Sequence, residues 1–203
     1  MKKLTILVIL LITTCTIAMA QPRAIGVRLG AAVGASYQHG LGEKNMLQID
    51  LEFPVFTHMT VSAIYDWIIP MNVPGKGQLN LFAGVGGTVG LGWNLAYQYG
   101  TMKDGAGNKW KIRGYGYGYS WGAGYGYGRS GVGRPLFGVF GATGHFGVEY
   151  MFWFPLQVFC DWKPTFGGFI GSWKWKDADS KWKYSGFYVP GLYNIAVGAR
   201  YCF

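Results

Sequence analysis

Arg28, Asp50, Glu52, Asp66, His145, Glu149, Asp161, Lys163 and Arg200 each sit in a run whose residues alternate between apolar and polar or small. In an extended chain, side chains two positions apart share a face, so such a run collects its charges opposite its apolar residues. Three chemistries suit the set: a proton or ion path, a hydrolytic site built on His145 with Glu149 and a serine such as Ser62, or an ionic core satisfied within itself. His145 and Glu149 lie four residues apart on one strand, which separates them by about 13 Å at the usual rise. That spacing denies them the hydrogen-bonded base and orienting group that nucleophilic catalysis needs. The residues therefore point to the ionic core, with no catalytic residue and no enzyme activity expected. Arg28 and Arg200 are expected to find carboxylates such as Glu149 and Asp50, because a buried charge must be paired or strongly hydrogen-bonded. His39 and His58 fall at strand ends, and no two histidines share a metal-ligand spacing with Cys or a carboxylate. No metal site and no cofactor are expected.

A second set of residues is cationic and aromatic. Tyr115, Tyr117 and Tyr119 begin an alternating Gly/aromatic stretch, and Trp173-Lys174-Trp175-Lys176 and Lys181-Trp182-Lys183-Tyr184 flank Asp177-Ala178-Asp179-Ser180. Two alternating segments around turn-forming residues read as a hairpin with Lys on one side and Trp on the other. Such a ribbon can bind anionic sugar phosphates or another protein. Its alternative reading is an interfacial girdle of Trp whose Lys neutralise anionic lipid. Gly128-Arg-Ser-Gly-Val-Gly133 lacks the Lys-Ser/Thr ending of a phosphate loop and is set aside.

The elements that must position these residues follow from periodicity. Lys2 and Lys3, an apolar run over 4–17, and Ala18-Met19-Ala20 make a signal peptide over 1–20, too short a run for a membrane-spanning helix. Half of the 203 residues are hydrophobic, 18% are aromatic, only 13% are charged, and the net charge is +9. Apolar character spread with period two, not gathered in blocks, is what a membrane barrel requires. Alternating segments are expected over 24–30, 33–38, 46–53, 58–69, 79–91, 137–152, 156–163 and 193–203, the first two being separable only by a turn within 31–34. The count of eight, with both ends on one side, places long connections at 92–135 and 164–190 on one face. The connections at 40–45, 70–77 and 152–155 fall on the other. The fold class expected is all-β: an eight-stranded, antiparallel, up-and-down transmembrane β-barrel over 21–203. Cys160 should point outward and Cys202 inward, so that the two cannot form a disulfide.

The runs AIGVRLG, SYQHGLG and LQIDLEF, the Tyr65-Asp66-Trp67 strand, LFAGVGG, FGVEY, the Pro155-Leu156-Gln157 turn with Asp161-Trp162-Lys163-Pro164, and the closing AVGARYCF occur in this order. Together they resemble the small outer-membrane β-barrel family of Gram-negative bacteria, often called porin-like. The likeness implies a cell-envelope location in the outer membrane, and a terminal Tyr201/Phe203 read by the assembly machinery. It transfers no catalytic residue. Eight strands enclose an interior that side chains fill, so a structural or surface-interaction role through the cationic aromatic loops is expected. Narrow transport of small solutes is the alternative, and an outer-membrane lipid-modifying enzyme the second. The partners expected are membrane lipid and lipopolysaccharide, the assembly machinery and an extracellular ligand of unassigned identity. A monomer is expected, without nucleic acid, whose compartment an exported chain does not share.

Overall fold

The computed structural model describes residues 23–54, 58–72, 74–93, 99–103, 107–113, 136–174, 181–188 and 190–203. The signal peptide therefore lies outside the described residues. In chain order the strands are β1 (Arg23–Gly30), β2 (Ala32–Gly40), β3 (Asn45–Pro54), β4 (His58–Met71), β5 (Gln78–Gly92), β6 (Tyr99–Lys103), β7 (Lys109–Arg113), β8 (Phe137–Met151), β9 (Leu156–Trp162), β10 (Thr165–Lys174), β11 (Lys181–Phe187) and β12 (Ile195–Cys202). A 3-10 turn at Pro190–Tyr193 leads into β12.

Eight of these strands close a barrel. β1 to β5 pair in sequence, β5 pairs with β8, β8 with β9, β9 with β12, and β12 returns to β1, antiparallel throughout. β1 and β2 are two strands of one hairpin, since Arg28 pairs with Gly34 about a turn centred on Ala31. The closing pair brings the ends of the chain together: Arg23 N–H donates to Phe203 O at 3.2 Å and Phe203 N–H to Arg23 O at 2.8 Å. Glycine permits close approach where the ladder is crowded. At Gly84 in β5 a side chain would run into the Asp66 carboxylate and the Tyr65 carbonyl.

The seventh strand runs past its expected end at Lys163. Phe146 pairs with Trp162, Thr143 with Thr165 and Phe137 with Gly171, so β9 and β10 keep one register along β8 across Lys163-Pro164. Proline lacks an N–H but keeps its carbonyl, and Pro164 O accepts the Gly144 N–H at 2.9 Å. β10 then pairs with β11 as the expected ribbon, Trp173 opposite Trp182 and Lys174 opposite Lys181. The stretch 99–113, expected within a long connection, instead supplies a hairpin. β6 pairs with β11 on one side and β7 on the other, making a four-stranded sheet β10-β11-β6-β7 at the end of the barrel away from the chain termini.

The alternation expected along each barrel strand is the one observed, and it is inverted relative to a water-soluble protein. Val85 and Val89 are 59% and 63% exposed and Ile25, Val27, Leu29 and Val197 face outward with them, while Arg28, Asp50, Asp66 and His145 are 0% exposed inside.

Candidate functional site: a charged and carboxamide-lined lumen

Each member of the expected network lies buried in the lumen, because strand parity leaves it no other face. Arg28, projecting from β1, donates from Nη1 to Glu52 Oε1 at 2.6 Å and Asp50 Oδ2 at 3.1 Å, both on β3. Its Nη2 donates to Asp161 on β9. Lys163 comes in from the joint between β9 and β10, where its Nζ reaches Asp50 Oδ2 at 2.8 Å and pairs also with Glu52. Two cations, one from β1 and one from the joint that follows β9, thus clamp one pair of carboxylates on β3.

His145 extends the network. Its Nδ1 lies 2.8 Å from Asp66 Oδ1 and its Nε2 3.3 Å from Asp161 Oδ2. Only the imidazolium donates from both nitrogens, so this geometry favours a charged ring bridging two carboxylates. The Phe82 ring packs 4.7 Å away, centroid to centroid. Ser62, the serine considered with His145 and Glu149, bonds elsewhere: its Oγ meets Thr88 Oγ1 at 2.8 Å, in a hydroxyl chain continuing to Thr143 at 2.6 Å and Thr165 at 3.1 Å.

Two expected pairings are replaced by others. Arg200 meets no carboxylate among the described residues. It donates from Nε and Nη2 to Ser36 Oγ at 3.1 and 3.0 Å and from Nη2 to Gln48 Oε1 at 2.9 Å, and its guanidinium sits 3.6 Å above the Phe159 ring. Glu149 is held by carboxamides, Asn80 Nδ2 at 3.0 Å, Gln38 Nε2 at 3.3 Å and Gln157 Nε2. The physical reason is reach and register. Gln157 is the direct cross-strand partner of Arg200, and Asn80 that of Glu149, so neutral neighbours occupy the nearest sites. Inward polar parity was the available signal for Ser36, Gln38, Gln48, Asn80 and Gln157. Below this amide layer a cavity of about 210 Å³ opens at the end that holds the chain termini, lined by Gln38, Asn80, Glu149, Gln157 and Cys202 among others.

At the opposite end His58 Nε2 lies 2.7 Å from the buried Tyr188 hydroxyl, and Phe137 packs on Phe169 with centroids 5.6 Å apart. Cys160 is exposed and Cys202 half-buried, both as free thiols, in keeping with their expected opposite faces. Tyr201 and Phe203 stack at the outer surface with ring centroids 6.4 Å apart. Of the expected loop surface, Lys183 is exposed on β11, and Trp173, Lys174, Lys181 and Trp182 occupy paired strand positions. Tyr115, Tyr117, Tyr119, Trp175 and Lys176 lie outside the described residues.

The fold and lumen define a closed antiparallel β-barrel with a charged interior and an apolar exterior. Searches of protein-family models, curated proteins and solved structures found no match to the chain. Its likeness to the porin-like barrels rests on the residues alone.

Proposed function

We propose that the mature chain is a porin-like outer-membrane β-barrel of a Gram-negative cell envelope, exported by the signal peptide over 1–20. Its role is structural and surface-interacting. The observation that carries this reading is the inverted surface: large apolar side chains ring the outside, among them Leu51 and Tyr65 at 39% and 38% exposure, while charged groups fill the inside. Hydrocarbon is the solvent that stabilises such a surface, and a closed barrel leaves no unpaired edge within it. The rings of Trp67, Tyr201, Phe203 and Trp153 near the termini, all exposed, suit an interfacial girdle on the periplasmic side. The sheet β10-β11-β6-β7 then stands at the cell surface.

Refolded protein should migrate faster unheated than heated on a gel. Protease added to intact cells should cut within 92–135 and 164–190 only. Unchanged mobility on heating, or cleavage within 40–45 from outside, would remove the reading. Because Arg28, Lys163 and their carboxylates cross the lumen from wall to wall, planar bilayers should show no steady openings. Regular conductance steps would instead favour narrow transport.

A further inference from the structure

The four strands at the far end of the barrel have no acidic residue in any of their sequences, YGTMK, KWKIR, TFGGFIGSWK and KWKYSGF. Their register decides where the cations go. Ser172 pairs with Lys183, Lys183 with Lys103, and Lys103 with Lys109, so three lysines on neighbouring strands stand in one cross-strand row. The next row on the same face runs Ile170, Ser185, Thr101 and Lys111. Lys103, Lys109, Lys111 and Lys183 are all exposed. Directly opposed residues share a face with their Cβ atoms roughly 5 Å apart, and like charges placed so are destabilising. No carboxylate lies within the four strands, and Asp104, Asp177 and Asp179 of the connecting turns lie outside the described residues; an anion from outside would relieve the repulsion along the row.

That face is also the barrel's outer wall. Ser185 and Phe187 follow Lys183 at two-residue steps, and Phe187 is 65% exposed, Ile170 58% and Phe166 63%. Descending the wall on β10 and β11, the lysine row gives way to Ser185 with Ile170 and then to Phe187 and Phe166, while β7 carries Lys111 and Arg113 at the two lower register levels. Lys183 stands four residues above Phe187, about 13 Å along the strand. This is the profile of a bilayer edge, apolar below and cationic at the level of the headgroups, where long Lys side chains bend toward the phosphates.

We propose that Lys103, Lys109, Lys111 and Lys183 form a docking face for the phosphate groups of a phosphorylated glycolipid in the outer leaflet. The inference rests on the outer-membrane reading and adds a specific lipid site to it. The lysines act together, each contributing on the order of a few-fold in affinity for an anionic surface.

Native mass spectrometry of the refolded protein in detergent, titrated with bis-phosphorylated lipid A, tests it. The wild-type chain should retain lipid A through the detergent exchange. K103Q/K109Q/K111Q/K183Q should bind at least about tenfold more weakly, and lipid A stripped of both phosphates should bind the wild type as weakly. K44Q/K76Q, which removes two exposed lysines in the connections at the opposite end, should bind like wild type. Equal binding by the quadruple variant, or of the dephosphorylated lipid, overturns the proposal. Heat-dependent gel mobility, measured on the same samples, keeps the two readings apart. A wild type without it counts against the barrel, whereas a heat-shifting quadruple variant that still holds lipid A counts against the docking face alone.

Discussion

Arg28 is the residue on which the lumen turns. It touches three carboxylates on two strands, Asp50, Glu52 and Asp161, so removing it leaves buried negative charges partly unpaired. Arg28→Met should lower stability by about 3–5 kcal/mol, read from urea unfolding in micelles. Arg200→Met, whose hydrogen-bond and ring partners are a hydroxyl, an amide oxygen and Phe159, should cost distinctly less because no direct ion pair is broken. Equal losses would mean that the ionic centre is not what holds the walls together. At this scale the sequence was informative about direction and poor about pairing. Period two assigns Arg28, Glu149 and Arg200 to the inside with no further knowledge. Which carboxylate meets which arginine depends on the stagger between strands far apart in the chain, and no local pattern encodes it. Glu149 beside Asn80, Gln38 and Gln157 illustrates the gap, since amides outcompeted a distant arginine.

Among the elements, the joint at Lys163-Pro164 looked like a strand end because proline removes a ladder donor. The ladder there uses the Pro164 carbonyl, and the strand continues in register. Pro164→Ala should therefore change stability by less than about 1 kcal/mol, with heat-dependent mobility intact. Gly84→Val should be far more damaging. Its side chain would displace Asp66 from His145 and press on the β4 backbone, and loss of the heat-resistant compact form on gels is the expected result. The β6–β7 hairpin was legible in principle. Tyr99 to Lys103 and Lys109 to Arg113 flank Asp104-Gly105-Ala106-Gly107-Asn108, a turn-rich composition between two short strand-like runs. Its partner was not legible, because β6 follows β5 in the chain and yet pairs with β11, a non-local choice.

For the molecule as a whole, closure was the part most open to sequence reading, since eight alternating runs admit few other arrangements. Thiol labelling checks the resulting wall. Cys160 should react readily with a membrane-soluble maleimide in the folded protein and Cys202 more slowly, their difference vanishing on denaturation; equal native rates would contradict the assigned faces. The reciprocal hydrogen bonds between Arg23 and Phe203 carry a further consequence. Because Arg23, two residues into the proposed mature chain, and Phe203 already lie side by side, a short linker can join the mature ends and the chain can be reopened elsewhere, giving a circular permutant with the same ladder. Opened at 104–106, such a chain would retain Phe203 in place but no longer as an end. Comparing its delivery to the membrane with that of a chain lacking Phe203 separates two ideas: that assembly reads a free carboxy-terminal aromatic, or that it reads the β12 surface wherever the chain happens to begin.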